Sequence, residues 1–272
     1  MDKKHRTPLV MGILNVTPDS FSDGGRYLSQ TAAMDRVNAM VAAGADIIDV
    51  GGESTRPGSD RVSQDEELQR VVPIIEEIRK SYSVTISVDT TRPVVAAAAI
   101  QAGATIINDV SMLRDGFELA EVAARHNATL ILMHSRKTPK DMQSHIEYTD
   151  VISEVRDELL KAVSKAMHCG VNTDNIWLDP GIGFAKTAAH NLSLLARLGV
   201  LSDCGYPVLV GPSRKSFIGT YTGADTDNRL GGTAAAVAIA VFNGAAAVRV
   251  HDIEIMKQAA IISAKIREAA EN

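Results

Sequence analysis

The chain has 272 residues, is 45% hydrophobic but only 4% aromatic, and carries a formal net charge of -5. That balance gives no basic footprint for nucleic acid or an anionic membrane; the longest apolar stretch, Ala234 to Phe242, stops far short of a bilayer span. Neither partner is expected. Leu9 to Leu14 is also too short for a signal-peptide core, and Cys169 and Cys204 lack metal-ligand spacing, so a cytoplasmic protein with free thiols is expected.

Taken in chain order, apolar runs alternate with helical patterns. Leu9 to Leu14 ends on Asn15; the helical pattern Ala32 to Ala42 then stops at Gly44, and the run through Ile47 and Ile48 ends on Asp49. Asp65 to Ser81 leads to Thr85 to Val88 and Asp89, and Pro93 to Ala102 leads through Gly103 to Ile106, Ile107 and Asn108. Glu118 to His126 precedes Leu130 to Met133 and His134, while Val151 to Met167 precedes Ile176 to Leu178 and Asp179. Ala189 to Leu198 precedes Val208 to Val210 and the Ser213-Arg214-Lys215 cluster. Leu230 to Phe242 leads through Gly244 to Ala247, Val248, Arg249, Val250 and His251, and Ile253 to Ala270 closes the chain.

Glycine after a helical pattern accepts the left-handed conformation that ends a helix, and the runs that follow are too short for another. Alternating strand and helix predicts a parallel sheet, because each parallel pair needs a crossover. Eight such units in one domain over residues 1–272 predict an α/β fold, a single (β/α)8 TIM barrel, which commonly needs about 250 residues. An open doubly wound sheet is the competing architecture, usually shorter or split.

Active sites of barrels gather at the carboxyl ends of the strands. Here that ring reads Asn15, Asp49, Asp89, Asn108, His134, Asp179, Lys215, Arg249 and His251. One polar strand end is ordinary loop chemistry; one after every strand is a pattern. Asp89, Asn108, Asp179 and Lys215 suit a flat heterocycle with an amide-like edge. Arg249, His251, Asn15 and the Gly51-Gly52 backbone suit a phosphoryl group, with Mg²⁺ able to bridge it. The first βα loop, Asn15 to Gly25, is long enough to cover a substrate, and the second, Gly51 to Gly58, carries Arg56 for an anion.

Two other motifs fail on spacing. Gly211-Pro212-Ser213-Arg214-Lys215-Ser216 lacks the glycine that precedes lysine in a nucleotide P-loop. Gly181-Ile182-Gly183-Phe184-Ala185-Lys186 has lysine where a dinucleotide fingerprint has its last glycine, and it follows a sixth strand. The histidines form no zinc pattern, and His126, His168 and His190 fall on helical patterns.

The run Met11-Gly12-Ile13-Leu14-Asn15-Val16-Thr17-Pro18-Asp19-Ser20-Phe21-Ser22-Asp23-Gly24-Gly25 closely resembles the signature of bacterial dihydropteroate synthases. The segments Gly51 to Gly58, Ser87 to Thr90, Ile107 to Asp109, Leu178 to Gly181, Ser213 to Ser216 and Val248 to Asp252 match that family in order. The resemblance implies condensation of 7,8-dihydropterin-6-ylmethyl diphosphate with 4-aminobenzoate, giving 7,8-dihydropteroate and pyrophosphate. It implies pterin contacts at Asp89, Asn108, Asp179 and Lys215, with Met133 and Phe184 as walls of the slot. Asn15, Thr55, Arg249 and His251 would take the pyrophosphate, with Mg²⁺ held through Asn15. Phe21, Asp23, Thr55, Arg56, Pro57, Lys215 and Ser216 would enclose 4-aminobenzoate, and an Asp23 to Arg56 ion pair could close the two loops over an SN1-like reaction. Asp89 would stabilise the cation.

The sequence departs from the usual family pattern where Met-Gln-Gly is replaced by Ser135-Arg136-Lys137 and where glycine before Lys186 is replaced by Ala185. Gly232 to Phe242 is apolar on all sides, which predicts an outward face buried in a homodimer, as the resemblance also implies. A methyltetrahydrofolate-dependent methyltransferase and a non-catalytic pterin-binding barrel are the alternatives. The first needs no diphosphate site, so Arg249 and His251 weigh against it.

Overall fold

The computed structural model describes residues 7–16, 26–53, 62–114, 116–136 and 146–271. The eight expected strands all form: β1 Leu9–Asn15, β2 Ile47–Gly51, β3 Thr85–Asp89, β4 Ile106–Asp109, β5 Thr129–Met133, β6 Ile176–Asp179, β7 Leu209–Val210 and β8 Ala247–Val250. All are parallel, in the order β6-β5-β4-β3-β2-β1-β8-β7. A parallel bridge between Leu178 and Val208 joins the two ends, and the Leu178 amide donates to Pro207 O at 2.9 Å. The sheet therefore closes as a barrel.

Helices cover its outside: α1 Arg26–Ala42, α2 Gln64–Ser81, α3 Pro93–Ala102, α4 Glu118–Arg125, α5 Val151–His168, α6 Ala188–Ala196, α7 Gly199–Ser202, α8 Ser216–Thr222, α9 Leu230–Phe242 and α10 Ile253–Glu271. The junction glycines behave as their positions predict, with φ of 84° at Gly44, 120° at Gly103 and 102° at Gly244. Two helices escape the periodicity. The expected Ala189 to Leu198 segment ends early and is followed by the single turn α7, whereas α8 contains Gly219, Thr220 and Thr222 and has weak intrinsic propensity. Burial of Phe217 and Ile218 holds α8 in place, and Gly223 at φ 73° closes it.

Strand side chains alternate between helices and lumen. Val10, Ile48, Ile86, Ile107, Leu130 and Val248 pack against the helices, while Met11, Ile47, Ile106, Ile131, Leu209, Ala247 and Trp177 form a separate apolar plug in the lumen. Each large aliphatic side chain in that plug contributes about 1.5–3 kcal/mol by leaving water. Two residues further along β2, β4, β6 and β8, Asp49, Asn108, Asp179 and Arg249 are polar. The plug is thus the floor of the site.

Both cysteines are free thiols, Cys169 beyond the end of α5 and Cys204 beyond α7. Among the described residues, no helix is long and apolar enough to cross a membrane.

Candidate active site

Four strand ends meet directly above the plug. Arg249 on β8 donates from Nε to Asp49 Oδ2 at 2.6 Å and from Nη2 to Asp89 Oδ2 at 2.7 Å. Asn108 Nδ2 donates to the same oxygen of Asp49 at 3.2 Å. Residues on β2, β4 and β8 share this layer because alternate strands of a barrel contribute to each lumen level. Burial is the main cause raising the Asp89 carboxyl to about 7; nearby Arg249 opposes it and Asp49 adds to it. For Arg249 the attraction of the two acids outweighs burial, and its guanidinium is held above its ordinary range. Asp49 Oδ1, Ser87 Oγ and Asn108 Oδ1 are buried without a partner among the described residues. Buried polar atoms without a partner are rare in folded proteins and mark this layer as functional.

The opposite wall comes from β5, β6 and the segment after β6. Asp179 is buried, accepts from the Gly181 amide at 2.7 Å through Oδ1, and is pushed up to about 6 chiefly by burial. Gly181 adopts φ 67°, and a Cβ there would stand 2.0 Å from His134 O, so only glycine fits this turn. Met133 and Phe184 pack with Ala185 and Val110 into one small apolar cluster. Lys215 Nζ lies 4.1 Å from the centroid of the Phe184 ring, and burial pulls its ammonium down to about 8. The stem of Lys215 occupies the space that a side chain at Gly183 would need.

His251 extends the rim beside Arg249. Its backbone amide donates to Ser213 Oγ at 3.3 Å, and that hydroxyl lies 2.9 Å from Nδ1 of the ring. The hydroxyl accepts from the amide, and its contact with Nδ1 holds the ring in place. Burial, aided by Arg249 and Arg214, lowers the imidazole to about 4, so at neutral pH His251 offers a hydrogen bond rather than a charge. Arg214 is turned away from the rim: it adopts φ 56° and forms a two-point pair with Asp252 at 3.1 and 2.7 Å. Its part in the Ser213-Arg214-Lys215 cluster is to hold the turn. Asn15 is partly buried at the end of β1, its Oδ1 and the Asp89 carboxylate both flanking Gly51. Ser216 is exposed at the start of α8.

Phe21, Asp23, Thr55, Arg56 and Pro57 lie outside the described residues. The stems of the second loop are nevertheless fixed. Arg92 pairs with Glu53 at 3.2 Å, donates to Val62 O at 2.5 Å and bonds the buried Glu67, which also accepts from Thr90 at 2.6 Å. Arg70 holds Gly52 O at 2.7 Å. Composition could flag Glu67 as an acid in the first turn of a helix but not as this anchor.

Arg136 and Ala185, from the two segments that depart from the pattern the sequence otherwise resembles, are joined through Tyr148; Lys137 lies outside the described residues. Arg136 pairs with Glu154 and Glu158 on α5 at 2.6 and 2.5 Å and stacks 4.0 Å over the Tyr148 ring, whose hydroxyl donates to Ala185 O at 3.1 Å. Lys186, buried and lowered to about 7 mainly by desolvation, lies 3.0 Å from His134 Nδ1 and donates to Phe184 O at 3.0 Å. Glu158 lies 2.9 Å from His134 Nε2. Ala185 itself sits at φ 47°, a conformation that costs an L-residue about 1 kcal/mol relative to glycine. Ala185→Gly is therefore expected to raise thermal stability by up to about 1 kcal/mol, or roughly 2–4 °C in Tm. A lower melting temperature in calorimetry would contradict it.

Residues 11–251 match the family described as pterin binding enzyme. The chain is 51% identical over 250 residues to the dihydropteroate synthase of Synechocystis sp., covering 92% of this chain and 86% of that protein. It is structurally similar to the Yersinia pestis dihydropteroate synthase crystallised with a sulfonamide drug complex, at TM-score 0.91 and 40% identity over 98% of this chain and 96% of that one. The Burkholderia cenocepacia dihydropteroate synthase complexed with 7,8-dihydropteroate superimposes with TM-score 0.87 at 39% identity, covering 97% of this chain and 93% of the other.

Proposed function

We infer the reaction from family and site together: the chain belongs to the pterin binding enzymes and, within them, to the dihydropteroate synthases. It is a transferase that condenses 7,8-dihydropterin-6-ylmethyl diphosphate with 4-aminobenzoate, forming 7,8-dihydropteroate and releasing pyrophosphate. The observation that carries this reading at the level of the site is Arg249, which joins the acids of the heterocycle slot to the rim suited to an anion. Pyrophosphate release with and without 4-aminobenzoate tests it. Release that yields dihydropteroate only with the amine present is expected; no release in either case would favour a binding protein or a methyltransferase.

In the scheme proposed, Asp89, Asn108, Asp179 and Lys215 hold the pterin edge between Met133 and Phe184. Arg249 and His251, with Thr55, take the diphosphate and stabilise the charge that grows as the C–O bond breaks. Departure precedes attack: the methylene on the electron-rich ring becomes the cation, Asp89 stabilises it, and the amine of 4-aminobenzoate adds and loses a proton. Phe21, Asp23, Thr55, Arg56, Pro57, Lys215 and Ser216 are assigned to the amine's pocket and its closure, which excludes competing water.

Asn15 suits a Mg²⁺ ion carried by the diphosphate, because Mg²⁺ takes few protein oxygens beside substrate phosphates and Asn15 Oδ1 lies at the strand-end rim near Gly51. When bound, the ion neutralises phosphate charge.

The protein is proposed to be a cytoplasmic homodimer. Ile239 and Phe242 on α9 are 49% and 41% exposed, and Ile262 and Ile266 on the adjoining α10 are 60% and 56% exposed. Neighbouring apolar side chains on two packed helices favour association. Sedimentation at micromolar concentration should give a dimer, and Ile262→Glu a monomer; a monomeric parent protein would reject the arrangement.

A further inference from the structure

Asp49 has no substrate role in this scheme, yet it is fully buried in the layer that carries Arg249 and Asn108. Its strand is separated from that of Asn108 by β3, whose residue in register with Asp49 is the small Ser87. A larger side chain there would stand between them. Across this gap one oxygen of Asp49 accepts from both Arg249 Nε and Asn108 Nδ2. A carboxylate paired with arginine has only acceptors to offer, so the face of the Asn108 amide turned towards it must be the NH₂. The Asn108 oxygen is then forced to the other side, where it is buried and unpartnered. Reversing the amide would oppose two oxygens.

We propose that Asp49 is a positioning and specificity-determining residue, which locks the Asn108 amide with its oxygen towards the pterin slot so that this position reads an N–H donor. The proposal rests on the reading of Asn108 as a pterin contact. The same carboxylate aligns Arg249, so the donor-reading wall of the slot and the anion-binding rim are set by one group.

The test is calorimetric binding of 6-hydroxymethylpterin against its 2-oxo analogue, which carries an acceptor in place of the exocyclic amine. The parent protein should prefer the pterin. In Asp49→Ala the amide can turn, and the preference should fall about tenfold while the KM for 4-aminobenzoate is unchanged. Asp49→Asn keeps an oxygen for Arg249 Nε and Asn108 and should restore the preference, whereas Asp49→Leu, of similar shape but with no acceptor, should not; recovery in the leucine variant would show a packing role instead. Asp49→Ser, too short to span β3, carries the same expectation if the alanine variant does not fold. Undiminished preference in these short variants, beside a loss in Asn108→Ala, overturns the lock. Undiminished preference in Asn108→Ala instead overturns the pterin reading of Asn108 and the proposal with it.

Discussion

Arg249→Ala is expected to lower kcat for pyrophosphate release by roughly 10² to 10³ and to destabilise the fold by about 3 kcal/mol. The kinetic loss follows from its proposed place at the leaving-group rim, where a fixed cation would meet charge that exists only as the bond breaks. The stability loss has a different origin: Asp49 is fully buried and Asp89 nearly so, and both would be left without their shared partner. Removing one member of a buried ion pair costs more than the pair contributes. Arg249→Lys should recover little, because one ammonium cannot repeat the two directed bonds at 2.6 and 2.7 Å. A variant within threefold of the parent kcat would sink the assignment; denaturant unfolding reads the stability term separately.

Asp89→Asn should separate function from stability. The folded carboxyl is raised to about 7 from an ordinary 3.8, so between those values the folded protein keeps a proton that the unfolded chain has lost. Stability therefore falls as pH rises through that window and remains lower above about 7. Asparagine mimics the protonated acid and has no such loss. The variant should match the parent's melting temperature near pH 4 and exceed it at pH 8, by about 2–4 °C per kcal/mol relieved. Activity should move the other way. The proposed scheme places an anionic Asp89 beside the cation, so kcat/KM of the parent should climb through about pH 7. In Asp89→Asn that limb should vanish and the rate drop roughly 10² to 10³. A persisting limb would assign the ionisation to another group, and a lower melting temperature at pH 8 would show that the Arg249 pair outweighs burial.

Much of the site was legible because strand ends are marked locally. Asn15, Asp89, Asn108, Asp179, Lys215, Arg249 and His251 each stand at or just beyond a short apolar run, and the barrel turns such positions to one face. Asp49 was visible in the same ring, but its function was not, since nothing in the local pattern tells a substrate contact from a group that orients one. The Ser213-Arg214-Lys215 cluster shows the converse. Three polar neighbours divide among three tasks: Ser213 serves His251, Arg214 serves Asp252, and Lys215 stands by Phe184. The helix α8 that follows was unreadable, because Phe217 and Ile218 are helical through burial rather than propensity.

The sequence by itself determined the alternation of strand and helix and which residue types crown the strands, because both are written within a few residues. Tertiary structure alone decided the pairings. Arg249 meets Asp49 and Asp89 across 200 and 160 residues of chain, and Asn108 meets Asp49 across 59, only once register and barrel closure fix which strand ends face one another. Burial then settled charge: the low-dielectric enclosure that keeps His251 neutral and lifts Asp89 towards neutrality exists only when the barrel is shut.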